Sequence, residues 1–194
     1  MIPDCTAIIL AGGDSRRMGS DKANLMLDGK TLLQRVIAAM QEIFPHVVVS
    51  VRQLRPEIDL PQVCDGAANA GPLAGLVSGL GHITTPWAFV VACDMPFVAP
   101  ALVEQLAKHR SKYQAVVPVV QGHPQPLAAF YAASCLAAMR ESLSGYDTSL
   151  RAALRMLDVR YVDQSDLLES DPRLRSFLDM DTPQDVVNAS HGVK

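Results

Sequence analysis

A chain of 194 residues, 49% of them hydrophobic, can bury one substantial core, so a single globular domain over 1–194 is expected. The net charge of −3 argues against a dedicated nucleic-acid binder, which carries a basic surface. No apolar run approaches the length of a membrane span, and Met1-Ile2-Pro3-Asp4 lacks the basic start of a signal peptide, so neither membrane nor export is expected.

The first predicted element is an apolar strand over 6–10. Thr31 then caps a helix whose apolar face is Leu33, Val36, Ile37, Met40 and Phe44, at spacings of three and four, and Pro45 stops it. The run 47–51 is apolar but for Ser50, as in a strand buried on both faces. A helix over 73–81 follows the Gly71-Pro72 turn. The run 87–92 is another buried strand, and Pro100 opens a helix to about 110. Strands are predicted over 115–120 and 126–131, helices over 132–143 and 149–157, and late strands over 159–162 and 177–180. Asp181 is the expected cap of a last helix, with Pro183 in its first turn. The polar stretch 164–175, with Pro172, reads as a surface excursion.

Strands separated by helices imply an α/β fold: a mostly parallel central sheet covered on both faces, three layers of Rossmann-like type. Such sheets bind ligands beyond the carboxyl ends of their strands. The four cysteines, Cys5, Cys64, Cys93 and Cys135, show no Cys-x-x-Cys pairing and point to reduced thiols in a cytoplasm. The five histidines have no zinc-ligand spacing.

The chemistry begins where the first strand ends. Leu10-Ala11-Gly12-Gly13-Asp14-Ser15-Arg16-Arg17-Met18-Gly19-Ser20-Asp21-Lys22 combines glycines with cations at the mouth of a sheet, a setting suited to a chain of phosphates. Glycine lets backbone approach a ligand closely because no Cβ intervenes. The spacing is neither that of a P-loop nor that of a dinucleotide-binding turn. Asp94 follows the strand 87–92. A carboxylate there offers a hard oxygen to Mg²⁺, which takes one or two carboxylates with phosphate oxygens and waters; a turn aspartate before Pro96 is the plain alternative. Asp179 and Asp181 form a second acidic site. Asp181 is assigned to the helix cap and Asp179, ending the preceding strand, to a second metal contact.

The first loop resembles the signature loop of nucleotidyltransferases that activate sugars, alcohols and pterins, and in detail that of molybdenum cofactor guanylyltransferases of the MobA type. Gly71-Pro72-Leu73-Ala74-Gly75-Leu76, Cys93-Asp94-Met95-Pro96-Phe97 and Asp179-Met180-Asp181-Thr182-Pro183-Gln184-Asp185 resemble the same family in the same order, across residues 6–188. The resemblance implies transfer of GMP from GTP to the terminal phosphate of molybdenum-bound molybdopterin, with release of pyrophosphate and with Mg²⁺ as cofactor. It makes Lys22, Arg17 and Asp94 the catalytic set. It implies nucleotide contacts from Leu10, Ala11, Gly12, Gly13, Lys22, Ser50, Asp65 and Asp94, and metal contacts from Asp94 and Asp179. Gly71, Gly75, His123 and Asp181 fall on the side of the second substrate. The family often has asparagines where Asp179 and Asp181 stand, and a relative has asparagine in place of Ser50. Asp65-Gly66 also reads as a plain turn, and Gly71–Gly75 as tight helix packing. Proteins that deliver molybdopterin, or molybdoenzymes that receive the product, are compatible partners.

Three other functions compete. A CTP-dependent sister enzyme usually shows Leu-Ala-Ala-Gly where this chain has Leu10-Ala11-Gly12-Gly13. Sugar-phosphate nucleotidyltransferases are generally longer. A non-catalytic nucleotide-binding regulator is disfavoured by the intact Lys22 and Asp94.

Overall fold

A computed structural model describes residues 1–12, 22–64 and 71–190. Its strands are β1 (Cys5–Leu10), β2 (Met26–Leu27), β3 (Lys30–Thr31), β4 (His46–Val51), β5 (Gln62–Cys64), β6 (Trp87–Ala92), β7 (Ala115–Val120), β8 (His123–Pro124), β9 (Ala128–Ala132) and β10 (Val159–Val162). Its α-helices are α1 (Leu32–Ile43), α2 (Gly71–Leu80), α3 (Pro100–Ala107), α4 (Leu136–Leu143), α5 (Leu150–Leu154), α6 (Gln164–Leu167) and α7 (Pro183–Ser190).

Among the described residues, eight strands form one sheet, in the order β10-β7-β9-β6-β1-β4-β5 with β8 on β7. β6, β1, β4 and β5 are mutually parallel. β9 runs against both β6 and β7. The reason is connection length: only seven residues link β7 to β9, too few for the crossover that a parallel return needs. Within that link, β7 and β8 close a two-residue hairpin at Gln121-Gly122, both at positive φ.

Alternate side chains of each strand enter opposite cores. Ala7, Ile9, Phe89, Val91 and Phe130 pack against α1 and α3, whose Val36, Met40, Leu102 and Leu106 are buried. Ile8, Leu10, Val90 and Tyr131 pack against α2, α4 and α5 through Leu73, Leu76, Met139 and Leu150. This is the expected three-layer α/β arrangement. Thr31 caps α1 as expected, in a reciprocal box with Gln34. Among the described residues, no helix is long and apolar enough to cross a membrane.

Two expectations are corrected. No strand forms at 177–180; a short 3₁₀ turn, Arg175–Phe177, is followed by irregular chain. Here the backbone bonds to the loop after β6 instead of to a ladder, with the Met180 N–H donating to the Asp94 carbonyl at 2.9 Å. Nor does Asp181 cap α7. Thr182 does: its Oγ1 accepts from the Asp185 N–H at 3.1 Å, and the Asp185 carboxylate accepts from the Thr182 N–H at 2.7 Å.

Candidate active site

The register sets Leu10 beside Ala92 on one side and Ser50 on the other, while Val51 pairs with Cys64. The ends of β6, β1, β4 and β5 therefore lie at the same sheet edge, and Asp94 follows β6 there. The ladder continues past the strand ends. The Leu10 carbonyl accepts from the Cys93 N–H at 3.0 Å, and the Ala11 N–H donates to the Ser50 carbonyl at 2.8 Å. Arg52, just beyond β4, adds a charge-assisted bond of 2.6 Å from Nε to the Gly12 carbonyl. The antiparallel course of β9 brings the end of β7 to this edge as well, and the β7–β8 hairpin carries the exposed His123 there.

Lys22 begins a 3₁₀ turn, Lys22–Asn24, anchored by the fully buried Ala23. Its ammonium donates to the Asp181 carboxylate and lies 3.6 Å from Asp94 Oδ2. The Asp94 side chain is 18% exposed, that of Lys22 33% and that of Asp181 59%. Residues from the first loop, from the end of β6 and from the last motif are thus brought together across the length of the chain. The last motif is held against the Asp94 loop. Besides the Met180–Asp94 bond, the Ser176 hydroxyl accepts from the Ala99 N–H at 3.0 Å. The buried Asp171 carboxylate accepts from the N–H groups of Arg175 and Ser176.

The electrostatics follow from this crowding. Burial pushes the Asp94 carboxyl above its ordinary range; Lys22 opposes that rise and Asp181 adds to it. Asp179 is pushed up to about 6, first by burial and then by the charges of Asp94 and Asp181, although its outer face keeps contact with solvent. Burial works against the Lys22 ammonium, but its bond to Asp181 and the nearby Asp94 charge hold it above its usual value. Hard carboxylate oxygens whose ionised forms repel one another fit a divalent cation. Among the described residues, no group of three or more His, Cys, Asp and Glu side chains forms a ligand set by itself. Asp94 and Asp179 could offer such oxygens to a cation that draws the rest of its shell from phosphate and water.

Other expected residues fall elsewhere. The Ser50 side chain is sealed: the residue is 1% exposed, and its hydroxyl lies beneath α2 without a hydrogen-bond partner among the described residues. Gly75 packs over it; a Cβ there would stand 2.9 Å from Ser50 Oγ and 3.2 Å from Leu10 Cδ2. The small residue at 75 thus serves close helix–sheet packing. Gly71 is exposed and opens α2 at φ +61°, with nothing near its missing Cβ, so its need is conformational. Gly13, Arg16, Arg17 and Asp65 lie outside the described residues. Arg52, Asp171, Ser176 and Thr182 were not singled out from the sequence. A cation directly after a buried strand is the one available signal for Arg52; Ser176 bonds a backbone N–H far away in the chain, while Asp171 and Thr182 bond backbone N–H groups within their own turns.

Residues 7–164 match the family model described as the MobA-like NTP transferase domain. The chain belongs to this family. Within the family's neighbourhood, it is 38% identical over 191 residues to a probable molybdenum cofactor guanylyltransferase of Chloroflexus aggregans, covering 93% of this chain and 91% of that one. It is 34% identical to another protein so named, from Pelotomaculum thermopropionicum, covering 95% and 91%. The crystal structure of molybdopterin-guanine dinucleotide biosynthesis protein A from Archaeoglobus fulgidus superposes with a TM-score of 0.84 at 28% identity, covering 96% of this chain and 97% of that one. These MobA-like relatives match over more than nine-tenths of this chain and of their own length.

Proposed function

We propose that this MobA-like chain is a Mg²⁺-dependent guanylyltransferase that transfers GMP from GTP to the terminal phosphate of molybdenum-bound molybdopterin. The observation that carries the reading is the meeting of Lys22 with Asp94 and Asp181 at the exit of the glycine loop. The proteins that share the motifs along most of their length bear the guanylyltransferase name, which supports GTP as donor and the pterin phosphate as acceptor.

The reaction is an in-line displacement at phosphorus. An oxygen of the pterin phosphate forms a bond to the α-phosphorus of GTP, the bond from that phosphorus to the bridging oxygen breaks, and pyrophosphate leaves with the electron pair. A phosphate monoester has a second pKa of about 6, so the attacking oxygen is largely ionised near neutrality and no general base is required. Catalysis then consists of positioning and charge stabilisation. Lys22, with Arg17, would meet the growing negative charge of the triphosphate. Asp94 and Asp179 would hold Mg²⁺, which when bound neutralises phosphate charge and polarises the phosphoryl group. The backbone at Leu10, Ala11, Gly12 and Gly13 would form the nucleotide cradle, its entry fixed by Arg52 and by the Ser50 carbonyl. Asp65 would accept from the donors on the guanine edge. The hairpin with His123, and Gly71 and Asp181, would border the acceptor side. The four free cysteines support a reducing, cytoplasmic setting.

The test is pyrophosphate release with each of the four nucleoside triphosphates, with and without molybdopterin. Release with GTP alone among them, and only with the pterin, supports the proposal. A preference for CTP would move the chain to the cytidylyl branch, and binding without release would make it a regulator.

A further inference from the structure

Lys22 is engaged by the protein's own carboxylates. Its ammonium donates to the Asp181 carboxylate and faces Asp94 Oδ2 at 3.6 Å. The backbone that carries it is fixed by the buried Ala23, and the Leu25 N–H donates to the Lys22 carbonyl at 3.0 Å. Only the side chain is left to move, and it is a third exposed. Asp181 is held from the other side, through the Met180–Asp94 backbone bond and the Thr182 cap of α7. A carboxylate fixed at this point repels a triphosphate approaching the same ammonium, and an ammonium fixed at this point repels a divalent cation approaching Asp94.

We infer that Asp181 is a positioning residue that keeps Lys22 as the internal counter-ion of Asp94 and yields it to the nucleotide when a divalent cation takes the ammonium's place. The inference rests on the nucleotide site proposed above, but not on the identity of the acceptor. It has consequences of opposite sign. Freeing the lysine strengthens nucleotide binding without metal. Removing the lysine weakens nucleotide binding and strengthens metal binding without nucleotide. The Asp181 effect must also pass through Lys22, because Asp181 acts by holding it.

The experiment uses the full chain and two probes, GTP in excess EDTA and Mn²⁺ without nucleotide, each titrated by calorimetry. Asp181→Asn keeps the side chain's shape and is more than half exposed, so folding is preserved. It should tighten metal-free GTP binding about fivefold, the upper end for a half-exposed ion pair, and the gain should vanish in the Lys22→Met background. Lys22→Met alone should tighten Mn²⁺ binding by about the same factor, whereas Arg151→Met, which removes an exposed cation from α5, should not. A gain from Asp181→Asn that survives in Lys22→Met, an unchanged Mn²⁺ affinity in Lys22→Met, or equal tightening in Arg151→Met would overturn the inference as a general charge effect. No pterin is present in these titrations. A failed transfer reaction with an intact cycle would therefore reject the guanylyltransferase reading alone, and working transfer with a failed cycle would reject the counter-ion role alone.

Discussion

The contact between α2 and β4 beneath the candidate site gives a stability prediction with a built-in sign reversal. Gly75→Ala would place a methyl group 2.9 Å from Ser50 Oγ and 3.2 Å from Leu10 Cδ2, well inside ordinary contact. Alanine improves on glycine in a helix by about 1 kcal/mol, while overpacking a core costs about 1–3 kcal/mol, so the single variant should lose about 1 kcal/mol. Ser50→Ala removes a buried hydroxyl that has no partner among the described residues. Relief of an uncompensated hydroxyl should recover about 1 kcal/mol. In the double variant the 2.9 Å contact is gone, the helix gain remains, and only the flexible tip of Leu10 must give. Independent effects would cancel and return the parent's stability; coupling through the shared contact predicts a double variant about 2 kcal/mol more stable. For a chain of this size each kcal/mol moves Tm by roughly 2–4 °C, so calorimetric melts should show a fall of about 3 °C, a rise of about 3 °C and a rise of about 6 °C. A double variant melting at the sum of the singles would refute the packing described for α2. Because the hydroxyl is sealed, Ser50→Ala should also leave the preference for GTP over ATP unchanged, and a changed preference would return that side chain to the base-binding surface.

Other predictions follow from the carboxylates and the thiols. Asp94→Ala should lower kcat by about 100-fold or more while the protein still melts within a few degrees of the parent, since what is lost is charge stabilisation in the transition state; full turnover would remove Asp94 from the mechanism. Asp65→Asn should lower kcat/KM for GTP relative to ATP and CTP by more than it slows transfer itself, because an amide offers the guanine edge a donor where an acceptor is needed; unchanged ratios across the three nucleotides would assign recognition to the Leu10–Gly12 backbone. Burial pushes the thiols of Cys5 and Cys135 up to about 12. The folded state then holds protons that the unfolded chain releases from about pH 8.5, so this stability is present below that pH and is lost as pH rises toward 12, by about 1.4 kcal/mol per pH unit and thiol. Tyr131, raised by burial, adds to the loss above its ordinary range. Denaturant melts from pH 8 to 11 should show this slope, flattened in Cys5→Ala/Cys135→Ala; a flat parent profile would contradict it.

Much of the fold was legible because buried strands advertise themselves. The strands β6 and β7 occupy the predicted spans 87–92 and 115–120, each an apolar run stopped by turn residues, and β10 occupies 159–162, bounded by Asp158 and Asp163. Gln62–Cys64 was missed, being too short and too polar to show a period. The run 177–180 misled because its apolar residues serve different ends: Met180 is buried with Leu27, Leu32 and Val186, while Leu178 is 44% exposed. The candidate site shows the same division. Lys22 and Asp94 were visible as charges in loops that end buried strands. That Asp181 would bind Lys22 was not visible, because 159 residues separate them and a neighbouring threonine could supply the cap that Asp181 was expected to form. Arg52 and Asp171 act on backbone carbonyl and N–H groups, which carry no side-chain identity for a motif to reveal.

The central claim is transfer of a guanylyl group from the α-phosphate of GTP, and the most direct test follows that phosphorus. GTP labelled at its α-phosphate should be incubated with the protein, Mg²⁺ and molybdenum-bound molybdopterin, and the products separated and weighed by mass spectrometry. The account predicts that the label moves to the pterin in a one-to-one ratio with pyrophosphate and adds the mass of GMP. Label remaining in GDP or free GMP, with none on the pterin, would contradict it.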